Sequence, residues 1–333
     1  MDIAIIGTGA VGGYYGARLA HAGRRVHFLL HTEYDAVKAN GLAVDSCDGD
    51  FSIANPHIYK DIREMPPCDL VCVSVKTTAN ERIFPTLGPV LKDGGAILLL
   101  QNGFGYERRL AERYPAARIF AGLCFICAFR EGAGHIRHTA YGKISIAPLR
   151  AEAETASAGK AGGGPAPEGK AGGAKLGNGP APGLGLSELA ALFESAGVKT
   201  EALGDLTLAR WRKLVWNVPF NGLCVLTGRE TDGIMGDPSL RALALSVMEE
   251  ILDAGRACGI VIPHSFAEEM IALTDAMPPY APSMLLDDRA GRPPEIEAIY
   301  ANPAAYADAH GYDMKYTKMI RRQLEARARG KII

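Results

Sequence analysis

The sequence of 333 residues lacks a long hydrophobic run, a basic leader and an excess of charge of either sign. Without a stretch of about 18 uninterrupted apolar residues, no membrane span is predicted. The first residues, MDIAIIG, run directly into an apolar strand, without the basic segment that precedes a cleavable secretory signal. A formal net charge of −1 gives no electrostatic reason to expect nucleic acid or an anionic membrane as a partner. We therefore expect a soluble, cytoplasmic protein.

The cysteines and histidines show neither a disulfide framework nor a metal site. Seven cysteines are an odd number, spread over a long chain. Cys124 and Cys127 form a CxxC pair, but no second ligand pair stands at zinc spacing. Because positions three apart in a strand face opposite sides, we interpret this pair, in an apolar strand-like run, as buried and structural. The eight histidines show no metal-ligand spacing, so no metal is predicted.

The pattern of apolar segments divides the chain into two parts. Over the first 150 or so residues, short apolar runs such as DIAIIG, DLVCVSV and AILLL alternate with helical patterns, which indicates a parallel sheet covered on both faces. The segment from about Thr207 onward is helical throughout. We predict an α/β fold: a doubly wound parallel sheet in a first domain, residues 1–203, and an all-helical second domain, residues 204–333, with a cleft between them.

Residues 151–186 differ in composition from both parts. The fragments GKAGG and GPAP each occur twice there, and large apolar side chains are nearly absent. Such a segment cannot bury enough surface to offset the entropy of ordering it, so we predict a flexible insertion in the first domain without a chemical role. We expect order to resume at Ser187, as the N-cap of the helix ELAALFESAGV.

The N-terminal segment IAIIGTGAVGGYYG predicts a dinucleotide site. It carries a GxGxxG pattern between an apolar strand and a helix, at the start of an alternating α/β chain, as in a Rossmann-type domain. The first glycine permits a tight turn, the second lets the backbone approach the pyrophosphate, and the third allows close packing of helix on strand. Amide groups at the helix start then bind the anion. The predicted cofactor-binding residues of this turn are Gly7, Thr8, Gly9, Ala10, Val11 and Gly12.

The end of the second strand bears on which dinucleotide is bound. NAD-binding domains place an acidic residue about 20 residues after the glycines to hold the ribose hydroxyls. Leu30 and His31 stand there instead. The missing carboxylate favours the 2′-phosphate of NADP, to which His31 could donate, although Glu33 two residues later argues for NAD. We predict NADP.

The segment RWRKLVWNVPFNG places Lys213, Asn217 and Asn221 four residues apart. On a helix, successive positions drift by only about 40°, so the three side chains share one face. Such a face is often merely solvated. The aromatic residues interspersed with it make a fully exposed helix unexpected, which leaves a functional face as the alternative.

The sequence resembles the ketopantoate reductase family over nearly its whole length apart from residues 151–186. The matching motifs, in order, are GTGAVG, VSVKT, LQNGFG, WRKLVWNVPFN and PSMLLDDRAGRPPEIEAI. The resemblance implies a Rossmann domain followed by a helical domain. It also implies NADPH-dependent reduction of a 2-keto acid, with 2-dehydropantoate converted to (R)-pantoate in pantothenate biosynthesis.

The resemblance also assigns roles to residues outside the glycine turn. Lys213 matches the catalytic lysine, and Glu295 the acidic residue that closes the site near that lysine and the cofactor. The matched substrate-binding residues are Asn217, Asn221 and Ser283, and those lining the cofactor are Lys76, Asn102 and Ala128, with Asn102 also reaching the substrate. A lysine ammonium can stabilise and protonate the oxygen of a ketone that accepts hydride, and amide groups suit the substrate carboxylate. Glu295 would keep Lys213 charged, or else hold a ribose hydroxyl.

Three departures from the family pattern concern the pocket. His31 replaces an expected arginine, Tyr280 stands where some members have a substrate-binding asparagine, and YANPAAYA follows EIEAI. A related dehydrogenase acting on another small 2-keto acid, or a non-catalytic dinucleotide sensor, are therefore the alternatives. The presence of both Lys213 and Glu295 argues against a sensor. The helical domain could also offer a surface for a homodimer.

Overall fold

The computed structural model describes residues 1–149 and 184–330. Within these ranges the strands form one mixed sheet, in the order β4-β3-β9-β8-β7-β6-β1-β2-β5, with β10 paired to β9. The strands are β1 (Asp2–Ile6), β2 (Arg25–Leu29), β3 (Leu42–Ser46), β4 (Phe51–Ile53), β5 (His57–Tyr59), β6 (Cys68–Val73), β7 (Leu91–Leu99), β8 (Arg118–Gly132), β9 (His135–Pro148) and β10 (Thr200–Ala202).

Most neighbouring strands are parallel, as the sequence predicts. Strand β1 lies between β2 and β6, and β7 and β8 continue the parallel order. Antiparallel pairing occurs between β3 and β4, and between β8 and β9, which form a long ribbon. The α/β fold class is confirmed.

Alternate residues of the central strands face two different apolar clusters. Ile3 and Ile5 pack on one face of the sheet with residues of helix α1 (Ala10–His21). Ala4 and Ile6 belong to the cluster on the other face, which continues into the helical part of the chain. Because successive side chains of a strand point to opposite faces, a continuous apolar run fills both layers. Each buried isoleucine contributes about 1.5–3 kcal/mol to folding.

The helices after β10 form the second part of the molecule. The helix bounds after α1 are α2 (Tyr34–Asn40), α3 (Asn80–Ile83), α4 (Tyr106–Arg113), α5 (Leu186–Ser195), α6 (Leu206–Thr227), α7 (Thr231–Met235), α8 (Pro238–Ala257), α9 (Ser265–Ala276), α10 (Ser283–Arg289), α11 (Asn302–Ala309) and α12 (Lys315–Ala328), with a π-helical turn at Glu297–Ala301. In the ranges 1–149 and 184–330, no helix combines the length and apolarity needed to cross a bilayer.

Helix α6 is the long central helix of this part. Asp205 is its N-cap and accepts a hydrogen bond from the amide of Leu208 at 2.9 Å. Gly228, with a φ of +70°, ends it in the left-handed conformation typical of a C-cap. The helix runs through Pro219, which is buried, and packs mainly on α8. The helix that carries Lys213 therefore lies in the core of the helical part.

The predicted insertion and the helix after it, α5, follow strand β9 in the sequence. Residues 151–183 lie outside the described residues, so a flexible insertion stays a prediction. The predicted N-cap at Ser187 is wrong, because α5 begins at Leu186 with Gly185 as its N-cap. Glu188 accepts a hydrogen bond from the Gly185 amide at 2.5 Å, so a carboxylate of the first turn holds the chain where a serine was expected.

Candidate active site

The glycine-rich turn joins β1 to α1. Gly7 has a φ of +102°, and a Cβ there would lie 2.6 Å from the backbone nitrogen of Val75. A Cβ on Gly9 would meet no described atom within 4 Å, so a ligand can approach the backbone closely there. A Cβ on Gly12 would collide with the hydroxyl of Ser74 and the carbonyl of Gly7. The three glycines thus have the geometry of a turn that holds a pyrophosphate.

The start of α1 faces the same place. Gly9 is the N-cap and has no side chain with which to cap the first amide groups, among them those of Ala10 and Val11. Thr8 donates a hydrogen bond to the Leu29 carbonyl at 3.0 Å, which ties the turn to the end of β2. Uncapped amides and the positive end of the helix dipole together favour an anion. These residues therefore fit the phosphates of a dinucleotide.

A cleft of about 950 Å³ lies between the β8–β9 ribbon and helices α6, α9 and α10. This volume is in the range of small-molecule sites. Seven residues predicted from the sequence line it together: Val11, Asn102, Ala128, Lys213, Asn217, Asn221 and Ser283. They come from α1, the loop after β7, β8, α6 and α10, so the cleft joins the sheet to the helices.

Lys213 points from α6 towards β8. Its Nζ donates a hydrogen bond to the carbonyl of Cys124 at 2.8 Å. Burial lowers the pKa of Lys213 to about 8, and the charge of Arg210 also lowers it, whereas Cys124 and Glu295 act in the opposite direction. An ammonium with this pKa can release its proton near neutral pH, which is a property of a general acid.

The two asparagines of the Lys–Asn–Asn face are buried rather than solvated. Asn217 is 7% and Asn221 3% exposed. The side chain of Asn221 donates to the Asn217 carbonyl at 3.0 Å and accepts from the Met284 amide at 3.3 Å. Asn221 therefore also holds the start of α10. Ser283 is the first residue of α10, and Pro282 precedes it as the N-cap.

Lys76 and Glu295 meet beside the cleft and do not line it. Glu295 accepts hydrogen bonds from the amide and the hydroxyl of Thr77, both at 2.9 Å, and from Lys76 Nζ at 3.5 Å. Lys76 also pairs with Asp287 at 2.6 Å. Burial alone would lower the pKa of Lys76, but the two carboxylates outweigh it and raise that pKa. The structure thus places Glu295 in direct contact with Lys76, and its effect on Lys213 acts over a longer distance.

A second, smaller pocket of about 190 Å³ adjoins the glycine turn at the end of β2. His31 and Glu33 line it, with Gly7, Thr8 and Gly9 on its other side. Arg130, on β8, also lines it and forms an ion pair with Glu33. The position of this pocket after the second strand is that of an adenosine ribose in such domains.

Models of a known family match both parts of the chain. The model of ketopantoate reductase PanE/ApbA matches residues 3–151, and that of the C-terminal region of PanE/ApbA matches residues 205–328. The chain belongs to the ketopantoate reductase family. It is thus an oxidoreductase, and the resemblance given by the sequence motifs is confirmed.

Individual relatives agree with this family. A 2-dehydropantoate 2-reductase from Nostoc sp. is 39% identical over 322 residues, which make up 97% of this chain and 93% of that protein. The crystal structure of 2-dehydropantoate 2-reductase from Geobacter metallireducens has a TM-score of 0.87 and 37% identity, covering 98% of this chain and all of that one. D-mandelate dehydrogenase in a complex with NADH and anilino(oxo)acetate has a TM-score of 0.81 at 19% identity, covering 99% of each chain, and so shows the shared fold alone.

Further residues line the cleft beside those that the sequence predicted. Cys124 and Cys127 lie on opposite sides of β8, as expected: Cys124 packs with the cluster on the α1 face of the sheet, and Cys127 lies beside Tyr280. Both are half-buried rather than fully buried, and both belong to the stretch of β8 that lines the cleft. Trp216 belongs to helix α6. It lines the cleft and donates to the Thr274 hydroxyl at 3.0 Å.

A buried ion pair holds the helix of Lys213 against the sheet part of the ketopantoate reductase. Arg210, 2% exposed, donates through Nε to Glu107 of α4 at 2.9 Å and through a terminal nitrogen to the Gln101 carbonyl at 2.5 Å. Gln101 precedes Asn102 in the loop after β7. Removing one partner of such a pair costs about 3–5 kcal/mol. This pair fixes Lys213 relative to Asn102.

Two groups of potential metal ligands lie away from the cleft. Cys47 and Asp48 lie near His138, with Cys47 Sγ 3.7 Å from His138 Nδ1, and a second group has the composition Asp45, Glu131 and His135. In the first group, the same Nδ1 lies 2.8 Å from the Ser46 hydroxyl, and Asp48 pairs with Arg18 at 3.6 Å. These contacts hold the β3–β4 turn against β9 and α1. Strand pairing, which sequence spacing does not show, brings the groups together.

Proposed function

We propose that this protein catalyses the NADPH-dependent reduction of a 2-keto acid, 2-dehydropantoate, to (R)-pantoate. The observation that carries the proposal is that Lys213 faces one cleft with Val11 of the nucleotide turn and with the three polar residues matched to substrate binding, Asn217, Asn221 and Ser283. The relatives from Nostoc sp. and Geobacter metallireducens, both named for this reaction, support the substrate.

Lys213 acts as the proton donor in this proposal. NADPH, when bound at the glycine turn, supplies the hydride that reduces the keto carbon. The ammonium of Lys213 binds the carbonyl oxygen, stabilises the negative charge that develops on it, and gives it a proton. The Cys124 carbonyl, 2.8 Å from Nζ, keeps the lysine side chain aimed across the cleft. Its low pKa makes the transfer feasible near neutral pH.

The substrate carboxylate is held by groups that donate hydrogen bonds without adding charge. Asn217 and Ser283 line the cleft on either side of Asn221, whose amide already holds the start of α10. Amide and hydroxyl groups can bind a carboxylate without adding a charge that would shift the pKa of Lys213. We propose that Asn217 and Ser283 contact the carboxylate directly and that Asn221 sets their separation, while Asn102 positions the carbonyl from the opposite side.

Lys76 and Glu295 have a supporting role. Glu295 bridges Thr77 on the sheet side to the loop before the π-helical turn on the helical side, and Asp287 adds a second carboxylate to Lys76. We propose that this network fixes the two domains against each other around the nicotinamide. We also propose that the boundary between the domains lies between residues 203 and 204. A homodimer through the helical part stays a prediction, which light scattering of the purified protein tests.

The cleft also favours a broader range of 2-keto acids. Its outer wall is apolar, with Phe266, Met270 and Met277 beside Tyr280, which replaces the polar residue expected from the family. An apolar wall binds a branched or aromatic side chain by removing its surface from water. Reduction of such keto acids is the second candidate activity.

A panel of keto acids assayed with both cofactors tests the proposal. The purified protein is given NADPH or NADH with 2-dehydropantoate, pyruvate, a branched 2-keto acid or phenylpyruvate, and oxidation of the cofactor is followed by absorbance. We expect the highest kcat/KM for 2-dehydropantoate with NADPH and a much lower value for pyruvate. A preference for phenylpyruvate would favour the second activity. No oxidation with any keto acid would leave a nucleotide-binding sensor.

A further inference from the structure

An arginine reaches the second pocket from a strand that sequence patterns do not connect with it. His31 occupies the position after β2 where an arginine was expected, and its side chain is exposed. Arg130 of β8 lines the same small pocket, together with the turn residues Thr8 and Gly9. A guanidinium is therefore present at this end of the nucleotide site, although the local sequence after β2 lacks one.

The course of the β8–β9 ribbon explains how Arg130 arrives there. The ribbon is antiparallel, and its register shifts between Cys127 and Ala128 and again between Arg130 and Gly132. At its tip, the amide of Gly134 donates to Glu33 at 3.1 Å. These irregularities bend the end of the ribbon onto the loop after β2. Arg130 is thus held over that loop by backbone contacts as well as by its own charge.

Glu33 is committed to the ribbon and is not presented to a ribose. It is 7% exposed, and its carboxylate is shared between the ion pair with Arg130 and the hydrogen bond from Gly134. An acidic residue that selects NAD instead accepts hydrogen bonds from the ribose hydroxyls. An acidic residue at position 33 therefore does not argue for NAD, because Glu33 serves as the counter-ion of Arg130.

Arg130 keeps donors for a further anion. Its side chain is 48% exposed, whereas that of Glu33 is 9% exposed, so the pair is buried on one side and open on the other. A guanidinium has five N–H donors in a plane, which match a carboxylate on one edge and a phosphate on another. The imidazole of His31 has at most two N–H donors, and they point in different directions, so it cannot present a planar pair to a phosphate.

We propose that Arg130, oriented by Glu33, binds the 2′-phosphate of NADPH and determines the preference for NADPH over NADH. The inference rests on the proposed use of NADPH and adds the residue that reads the phosphate. Arg130 supplies the charge and a planar pair of donors, and His31 adds a hydrogen bond from the side of β2. Glu33 keeps the guanidinium in the plane of the pocket before the nucleotide arrives.

Binding of nucleotides to three variants tests this assignment without any keto acid. Titration calorimetry of the full chain measures Kd for NADPH, NADH, adenosine 2′,5′-bisphosphate and AMP. Arg130→Gln should weaken the binding of NADPH and of the bisphosphate by roughly 10- to 100-fold. The Kd values for NADH and AMP should change by less than about threefold. Arg130→Lys keeps the charge but not the planar donors, so its Kd for NADPH should lie between those of the wild-type protein and Arg130→Gln. Arg137→Gln is the matched control. It removes an arginine of the same ribbon, which pairs with Asp45 and Glu131, and should leave the Kd of all four nucleotides unchanged.

The outcomes separate this inference from the proposed function. Equal weakening of NADPH and NADH by Arg130→Gln would mean that Arg130 only shapes the pocket, and unchanged binding of both would remove it from the site; either result overturns the assignment. If the wild-type protein reduces 2-dehydropantoate with NADPH while Arg130→Gln keeps its cofactor preference, the function stands and the inference fails. If Arg130→Gln selectively loses NADPH but no keto acid is reduced, the inference stands and the function fails. Thermal melting of each variant verifies that it is folded.

Discussion

Two lysines at or beside the cleft, Lys213 and Lys76, lie in opposite surroundings. Lys213 is half-buried at the wall of the cleft, donates to a backbone carbonyl, and has a pKa lowered by burial to about 8. Lys76, with 43% of its side chain exposed, lies between the carboxylates of Glu295 and Asp287, and its pKa is raised. Among residues 1–149 and 184–330, no carboxylate forms an ion pair with Lys213.

The difference shows how the surroundings shift the pKa of the same residue type in opposite directions. A proton donor works best when its pKa is near the working pH, because the charged form must be populated and must also release the proton. A fixed positive charge needs a pKa well above the working pH, and nearby carboxylates raise the pKa of a lysine. These environments agree with the proposed roles, proton transfer by Lys213 and electrostatic positioning by Lys76. Four predictions follow from this assignment.

The largest expected effect is that of removing the ammonium of Lys213. Lys213→Met keeps the length of the side chain and removes both the proton and the charge. We expect kcat for reduction to fall by about 10²- to 10⁴-fold, the usual contribution of a general acid. The Kd of NADPH, measured by fluorescence titration, should change little, because the glycine turn is untouched. Steady-state kinetics with 2-dehydropantoate measure the loss.

Lys76→Met is the matched variant for this comparison. It removes a lysine from the same region but leaves the proton donor in place, so its kcat should fall much less than that of Lys213→Met. Its thermal stability should decrease, because Asp287 and Glu295 lose a shared cation while remaining buried. Equal losses of kcat in both variants would contradict the division of roles.

The second prediction concerns pH. Lys213 must be protonated to donate, so kcat/KM for reduction should be constant below about pH 8 and fall roughly tenfold per pH unit above it. The reverse reaction, oxidation of pantoate, needs the neutral amine, and its kcat/KM should rise through the same pH. Lys76 stays charged throughout this range, since its pKa is raised. If kcat/KM changed in the same direction with pH for both reactions, the change near pH 8 would belong to a group other than Lys213.

The contacts explain how far the sequence could predict this site. The glycine turn and the Lys–Asn–Asn helix are local patterns, so spacing and periodicity place them correctly. The sequence did not predict the partner of Glu295, which lies 219 positions away in Lys76. It also missed Arg130, because the tip of its ribbon meets Glu33 across 101 positions. Contacts of this kind depend on strand order and on bulges, which local patterns do not encode.

The third prediction separates Glu295 from the other carboxylate of Lys76. Glu295→Gln removes a negative charge that favours the ammonium form of both lysines. The pKa of Lys213 should fall, so the break in the pH profile of reduction moves to lower pH. We also expect kcat/KM to fall roughly tenfold, equivalent to about 1.4 kcal/mol, as Thr77 and Lys76 lose their bridge to the helical part. A break that does not move would show that Glu295 acts on Lys76 alone.

The smallest effect is expected from Asp287→Asn. Asp287 pairs with Lys76 and with Arg292. Unlike Glu295, it is not among the groups that shift the pKa of Lys213. Because Lys76 is partly exposed and retains Glu295, the lost pair should change kcat/KM by about threefold or less. The pH at which reduction declines should match that of the wild-type protein. A shift like that of Glu295→Gln would mean that both carboxylates set the acidity of Lys213, and the two lysines would then form one coupled network instead of two separate sites.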